Sequence, residues 1–357
     1  MAILAALLTA VGFANPEILK DAWLKGTTDK TPIFYNPGET MVFTIDIAAV
    51  CEIKTRLLPA LRELIHAFLK LEDENAGIVK SGRTHLQDAT PISFSQEISG
   101  WRSSLERDVE LIEASLQPLS ELAIGATAVG TGINAPVGFG DVAAEKISEI
   151  LGIGFRSAEN KFHALTSKDE LVFSHGALKA LAADLMKIAN DIRWLASGPR
   201  LGLGEIFIPE NEPGSSIMPG KVNPTQCEAV TMVAVQVMAN DLAVSFGASQ
   251  GNFELNVFMP VCIYNYLQSV RLLSDACTSF RKRCVEGIRA NKERMHDNLH
   301  NSLMLATALS PHIGYERSAE VVHLAHERGI SLKEACLELG YLTEERFDEV
   351  FRPELMI

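Results

Sequence analysis

Four long stretches of the chain repeat their apolar residues at helical spacing, and aliphatic side chains occupy nearly every face. They span residues 96–122, 168–197, 225–246 and 252–285. A helix that is hydrophobic nearly all round is buried by other helices. The low aromatic content, 7%, also disfavours an all-β sandwich. The sequence therefore predicts an all-α fold built on a long-helix bundle. The excess of apolar surface predicts that copies of the chain associate.

The remaining pattern divides the chain into three parts. The predicted parts are a divergent N-terminal segment over residues 1–40, a central helical bundle domain over 41–285 and a small C-terminal helical domain over 286–357. Within the central domain, Gly82, Pro91 and several hydroxyl residues predict a loop over 81–95. Residues 206–208 predict a short strand-like piece.

The charge balance and the cysteines exclude several functional classes. There are 32 basic and 45 acidic residues, so the net charge is −13, which disfavours binding to nucleic acid and to anionic membranes. The first 14 residues carry no charge but are too short to span a bilayer. Six cysteines without any C-x-x-C pair predict reduced thiols rather than a metal site. We therefore expect a cytoplasmic protein, or one of the mitochondrial matrix in a eukaryote.

One loop, residues 214–224, concentrates groups that bind anions. It contains two adjacent serines, two glycines and Lys221, and it ends at Asn223 and Pro224, which predict a helix N-terminus. Backbone N–H groups, a helix N-terminus and a lysine together form a binding site for a negative charge. The alternative is a surface loop with ordinary capping.

Three segments carry a resemblance to a known family. They are GSSIMPGKVNPTQCE at 214–228, GRTHLQDA at 82–89 and GNFELNVF at 251–258. Together they resemble the fumarase/aspartase superfamily and, in detail, the class II fumarases, over roughly residue 78 to the C-terminus. The resemblance implies reversible anti addition of water to fumarate, giving (S)-malate, without a metal or an organic cofactor.

The resemblance also implies three catalytic roles. Ser215 matches the base that takes the proton from carbon, and His85 matches the acid/base group on the water side. Glu228 matches the carboxylate that orients and charges this histidine. A serine is a poor base in water, so N–H groups of the loop and the helix end must stabilise its alkoxide.

Five further positions match groups that bind the substrate carboxylates. Lys221, Asn223 and the backbone near Val222 correspond to carboxylate ligands, whereas Ser216 and Thr84 correspond to hydroxyl contacts. Proton removal next to a carboxylate builds a second negative charge, so cations and N–H donors are the groups that this reaction needs.

The N-terminus departs from the family pattern. The usual N-terminal domain has a Gly-Ser-Gly-Thr loop, a His-Pro-Asn-Asp loop and a Ser-Ser-Asn-Asp turn, and none occurs here.

The resemblance further implies a homotetramer whose active sites are shared between subunits. Two interpretations stay open: a fumarate hydratase, and a catalytically impaired bundle protein that oligomerises or assembles with an intact homologue. Aspartate ammonia-lyase is less favoured, because such enzymes differ at Gly220 and over 225–228.

Overall fold

The computed structural model of the chain describes residues 37–212 and 214–357. The predicted segment 1–40 therefore lies outside the described residues, apart from its last four. The helices are α1 Pro37–Glu52, α2 Leu58–Glu74, α3 Phe94–Leu119, α4 Phe139–Leu151, α5 Lys161–Thr166, α6 Asp169–Leu195, α7 Thr225–Ala248, α8 Met259–Arg283, α9 Lys292–Asn301, α10 Ser310–Ile313, α11 Tyr315–Arg328, α12 Leu332–Glu338 and α13 Glu344–Val350. The strands are β1 Val79–Thr84, β2 Gln87–Ser93, β3 Glu121–Leu122, β4 Arg156–Ser157, β5 Ile206–Phe207 and β6 Arg289–Ala290.

The predicted all-α class is confirmed. The four longest helices, α3, α6, α7 and α8, have 24 to 27 residues and correspond to the four predicted stretches. The predicted strand-like piece at 206–208 is β5, which pairs with β6 in antiparallel order.

Helix α8 begins at Met259 rather than at the predicted residue 252. The reason is the side chain of Asn256, which is fully buried between two helices. Its amide donates to the carbonyl oxygens of Gly247 and Ala248 at the end of α7, each at 3.1 Å. Its own oxygen accepts from the N–H of Phe258 at 2.8 Å. One side chain therefore satisfies orphan groups at the end of one helix and ahead of the next.

The predicted loop over 81–95 is wrong. Strands β1 and β2 form an antiparallel hairpin there, and α3 follows directly at Phe94. The register shifts between Ser81 and Arg83, which leaves Gly82 at a bulge where an added Cβ would lie 2.7 Å from the carbonyl oxygen of Thr90. A bulge of this kind needs glycine and disrupts the alternation by which a strand is recognised in a sequence.

The chain divides into two compact units, each built from separated segments. Unit 1 comprises the residues up to Glu63, Leu105–Met186 and Ala229–Thr278, and unit 2 comprises Leu64–Ser104, Lys187–Glu228 and Ser279–Ile357. The domain boundary at residue 285 stays a prediction.

Buried polar side chains join α6, α7 and α8 within unit 1. His175 on α6 is fully buried and lies 3.0 Å from the Asp241 carboxylate on α7 and 2.9 Å from the Ser269 hydroxyl on α8. Burial lowers the pKa of His175, although its hydrogen bond to Asp241 opposes this. These contacts leave the imidazole satisfied in an apolar interior, as a buried polar group requires.

A second buried carboxyl in unit 1 predicts a measurable pH effect. Burial, with the adjacent carboxyl of Asp184, raises the pKa of Asp108 to about 8. The folded chain holds this proton where the unfolded chain has lost it, so stability falls as the pH rises from about 4 to about 8. Asp108→Asn is expected to remove this loss, and thermal unfolding at pH 5 and pH 8 measures it. If the melting temperature of the Asp108→Asn variant depends on pH as steeply as that of the wild type, the raised pKa of Asp108 is not the cause of the pH effect.

The C-terminal part of unit 2 has its own hydrophobic core. Leu305, Leu309, Val321, Ala335 and Phe347 are nearly or fully buried in this core. The capping box of Ser331 and Glu334 fixes the start of α12. This core joins α9 to the helices that follow it.

Candidate active site

The loop that carries Ser215 directs backbone N–H groups at the serine hydroxyl. Ser215 Oγ accepts from the N–H of Ile217 at 3.2 Å and from the N–H of Met218 at 3.1 Å. Two fixed donors on one oxygen favour its negatively charged form. The loop therefore supplies the N–H groups that an alkoxide base requires.

Asn223 closes this loop instead of capping the helix after it. Its amide nitrogen donates to the carbonyl oxygen of Gly214 at 2.6 Å, and α7 begins only at Thr225. The helix N-terminus predicted at Asn223 and Pro224 therefore lies one residue further along the chain. An added Cβ at Gly214 would overlap the carbonyl oxygen of Lys221. Only glycine permits the two ends of the loop to approach so closely.

The substrate-binding candidates on the loop are open to solvent in the single chain. Ser216, Lys221 and Val222 are exposed, and Asn223 is half-buried. Among the described residues, the Lys221 ammonium makes no ion pair. A positive charge that the chain itself does not neutralise remains available to an anion. The substrate contacts of these residues stay a prediction.

His85 lies at the tip of the β1–β2 hairpin. Thr84 pairs with Gln87, so His85 and Leu86 form a two-residue turn, with φ values of 57° and 60°. Such a turn strongly favours Asn-Gly, because both central residues are left-handed. Left-handed non-glycine residues cost about 1–3 kcal/mol each and persist only where their surroundings hold them. Both Thr84 and His85 are exposed.

The buried carboxylate of Glu205 binds this hairpin through Arg83. Glu205 is fully buried and accepts two hydrogen bonds from the guanidinium of Arg83, at 2.5 and 3.1 Å. The amide of Asn298 donates to it at 3.0 Å, and the ammonium of Lys80 lies 3.2 Å away. Burial acts to raise the pKa of Glu205, but these donors and charges outweigh it and lower the pKa below its usual value. Glu205 is therefore a carboxylate.

Sequence reasoning missed this cluster. Arg83 and Glu205 are 122 positions apart, and each alone is an ordinary charged residue of a loop or strand. Lys80 is also fully buried and lies 3.1 Å from Glu97. Burial raises the pKa of Glu97, and the charge of Lys80 opposes the shift. The only signal in the sequence was the place of Arg83 beside Thr84 and His85.

Glu228 lies in the first turn of α7, where a carboxylate favours the helix N-terminus. Its carboxylate oxygen is 3.7 Å from the guanidinium of Arg193, a contact that sequence reasoning also missed. The contact of Glu228 with His85 stays a prediction.

The candidates thus form two groups, the loop with Ser215 and the hairpin tip with His85. Both belong to unit 2. Within the described part of one chain, no hydrogen bond joins Ser215 to His85. The structure therefore brings the residues of each group together but does not join the two groups.

Two family profiles match the chain. The Lyase profile covers residues 39–239, and the fumarase C C-terminus profile covers residues 305–357. The first match alone spans more than half of the chain, and the second corresponds to the C-terminal helices.

Curated relatives are similar over most of the chain. The class II fumarate hydratase of Bacillus subtilis is 59% identical over 320 residues, which are 90% of this chain and 69% of the relative. That of Campylobacter jejuni is 59% identical over 92% of this chain and 71% of the relative. That of Staphylococcus epidermidis is 58% identical over 97% of this chain and 76% of the relative. The last match is long enough to reach into residues 1–40.

Solved structures share the fold. A class II fumarase from Schistosoma mansoni superposes with a TM-score of 0.86 at 40% identity, over 88% of this chain and 69% of that chain. A fumarate lyase:delta crystallin from Brucella melitensis, bound to cobalt, gives a TM-score of 0.83 at 40% identity, over 87% of this chain and 67% of that chain.

Proposed function

This chain belongs to the class II fumarate hydratases of the lyase family, and on this premise we propose that Ser215 and His85 carry out its reversible hydration of fumarate to (S)-malate. The observation that carries the proposal is the pair of N–H groups, from Ile217 and Met218, that point at Ser215 Oγ. An oxygen so placed is suited to accept a proton from carbon, because its charged form is already stabilised.

Proton removal from malate places a second negative charge on the carboxylate next to the reacting carbon. Lys221, Asn223 and the backbone near Val222 bind this carboxylate, and Ser216 and Thr84 add hydroxyl contacts. These groups bind the intermediate more strongly than the substrate, because the intermediate carries one more negative charge and fixed donors aimed at developing charge lower the barrier.

His85 acts on the hydroxyl side of the substrate. In the direction of dehydration it donates a proton to the leaving hydroxyl, and in hydration it takes a proton from the attacking water. Glu228 orients this imidazole and stabilises its charged form, as a carboxylate partner does in general for a catalytic histidine. Two groups that work on opposite faces of the double bond give anti addition.

The direct test follows the absorbance of fumarate after purified chain is added to (S)-malate. We expect absorbance to rise to the equilibrium value, and to fall to the same value when the reaction starts from fumarate. A chain that folds but changes neither solution would overturn the proposal and favour an impaired bundle protein. Fumarate formed from aspartate instead of malate would indicate an ammonia-lyase.

We further propose that the chain forms a homotetramer whose active sites take residues from more than one subunit. The observation that supports it is helix α7, which in the described residues is the one helix long and apolar enough to cross a membrane by length and composition. Only 33% of its most apolar stretch is buried. Met232, Val235, Leu242 and Phe246 on α7 are all more than half exposed. A face of this kind marks a surface that another chain covers.

Leu242→Asp is expected to break the tetramer into smaller species. Leu242 is 60% exposed in one chain, so on a free surface the change would alter stability by about 0.5 kcal/mol or less. In a buried interface it places an unpaired charge among apolar side chains. The control is Val142→Asp on α4, because Val142 is 67% exposed. Light scattering gives the mass, and equal masses for the two variants would contradict the assigned interface.

A further inference from the structure

We propose that Arg83 and Glu205 form a positioning pair that holds the hairpin tip, and therefore His85, in its catalytic conformation. The inference rests on the proposed function, since it assigns these residues to the hydration step that uses His85. We assign neither residue a contact with the substrate. They act through the backbone of the turn, which begins directly after Arg83 and Thr84.

The turn needs such a pair because its conformation is unfavourable by itself. His85 and Leu86 both have positive φ and neither is glycine. Leu86 is 63% exposed, so no core contact of its side chain holds it in place. The tip is therefore held by the strand pairing of Arg83 with Asp88 and of Thr84 with Gln87, and by whatever anchors Arg83.

Arg83 is anchored at two points by one carboxylate. Its two terminal nitrogens reach the two oxygens of Glu205 separately, Nη2 to Oε1 and Nη1 to Oε2. This bidentate arrangement fixes the orientation of the guanidinium plane as well as its distance. A single ion pair would leave the side chain free to pivot, and the strand with it.

Glu205 is itself rigidly held. Its backbone N–H donates to the carbonyl oxygen of Leu195, and its carbonyl oxygen accepts from the N–H of Asn291, each at 2.8 Å. Its side chain is fully buried and also bonded to Asn298 and paired with Lys80. The pair therefore connects the hairpin tip to the C-terminal end of α6, at Leu195, and to the N-cap of α9, at Asn291. A group held this firmly can define the position of a catalytic side chain two residues from its partner.

The substitution Arg83→Lys tests the proposal, since lysine keeps the positive charge but not the two-point contact. Wild-type activity is measured first, so that failure of the proposed function is recognised separately. We expect kcat to fall roughly 10–100-fold with KM changed less than twofold, because small misplacement of a catalytic group lowers the rate of the chemical step. The matched control is Arg102→Lys, at a half-buried pair with Glu72 at 2.8 Å in the same unit, which is expected to leave kcat unchanged.

A second substitution separates positioning from a general structural role. Leu86→Gly lets the second turn position adopt positive φ without strain. In the Arg83→Lys background it is expected to restore a large part of kcat, measured well below the melting temperature of each variant. In the His85→Asn background, Arg83→Lys is expected to cause no further loss, because two residues that act on the same step are not additive. Full additivity, or no recovery of kcat with Leu86→Gly, would overturn the proposal.

If the Arg83→Lys chain does not fold, Asn298→Ala tests the proposal instead. This change removes one donor to Glu205 but keeps both ion pairs of the carboxylate. We expect a lower kcat at unchanged KM in a chain whose far-ultraviolet circular dichroism matches the wild type. An unchanged kcat in this folded variant would overturn the proposal, as would an unchanged kcat in folded Arg83→Lys.

Discussion

Ser215→Ala is expected to lower turnover by roughly 10²–10⁴-fold, the usual contribution of a positioned general base. The change removes the oxygen that accepts the proton from carbon, but it leaves the donors Ile217 and Met218 in place. Exchange of the carbon-bound hydrogen of malate with solvent should stop as well. His85→Asn should instead slow exchange of the hydroxyl oxygen. Mass spectrometry of malate recovered from labelled water measures both exchanges.

The control for Ser215→Ala is Ser249→Ala. Ser215 is half-buried, whereas Ser249 is exposed, and its hydroxyl donates to the backbone carbonyl of Phe246 at 2.8 Å. Loss of such a surface hydroxyl is expected to change neither exchange rate nor the melting temperature by much. Equal rates for Ser215→Ala and Ser249→Ala would remove Ser215 from the mechanism.

Mixed refolding of the two inactive variants tests whether sites are shared. Within one described chain, Ser215 and His85 are not joined by a hydrogen bond, which is the arrangement expected if each serves a site completed by another subunit. When Ser215→Ala and His85→Asn chains refold together, some tetramers contain a site with both wild-type residues. Partial activity is then expected to return. No recovery in tetramers shown to contain both variants would mean that one chain supplies both residues.

The long helices were predictable because their signal is local. Apolar residues at helical spacing act through neighbouring residues, and the four longest helices correspond to the four predicted stretches. The start of α8 was not predictable in this way, because it depends on the side chain of Asn256 reaching two carbonyl groups at the end of the preceding helix. Spacing alone does not distinguish such a bridge from two more helical turns.

The site shows the same division. The anion-binding character of the loop at 214–224 follows from residue types that lie next to one another. The hairpin that carries His85 was missed, because its turn lacks the Asn-Gly or Asp-Gly signal by which such turns are recognised. The reason that His85-Leu86 is tolerated lies 120 residues further on, at Glu205. A conformation maintained by distant contacts leaves no local pattern in the sequence, and strained turns of this kind concentrate at functional sites.

Lys221→Met is expected to raise KM and lower kcat, with a combined loss in kcat/KM of roughly 10²–10³-fold. The Lys221 ammonium forms no ion pair within the described residues, so its charge is available to the substrate. A chain with a net charge of −13 otherwise repels a dicarboxylate. Methionine has nearly the same length without the charge. The attraction is stronger still in the intermediate, which carries one more negative charge than malate, and for this reason kcat falls together with the affinity.

Lys70→Met is the matched control, because it removes the same charge from the same unit. Lys70 lies on α2, is 78% exposed and is 3.7 Å from Glu74, so its charge is well solvated and contributes little. Steady-state kinetics at several salt concentrations separate a long-range effect of net charge from a direct contact between Lys221 and the substrate. A long-range effect of net charge weakens equally in both variants as salt screens it, whereas a direct contact of Lys221 with the carboxylate leaves a loss at high salt that Lys70→Met does not show. Equal kcat/KM for the two variants at high salt would mean that Lys221 acts through the overall field and does not touch the substrate.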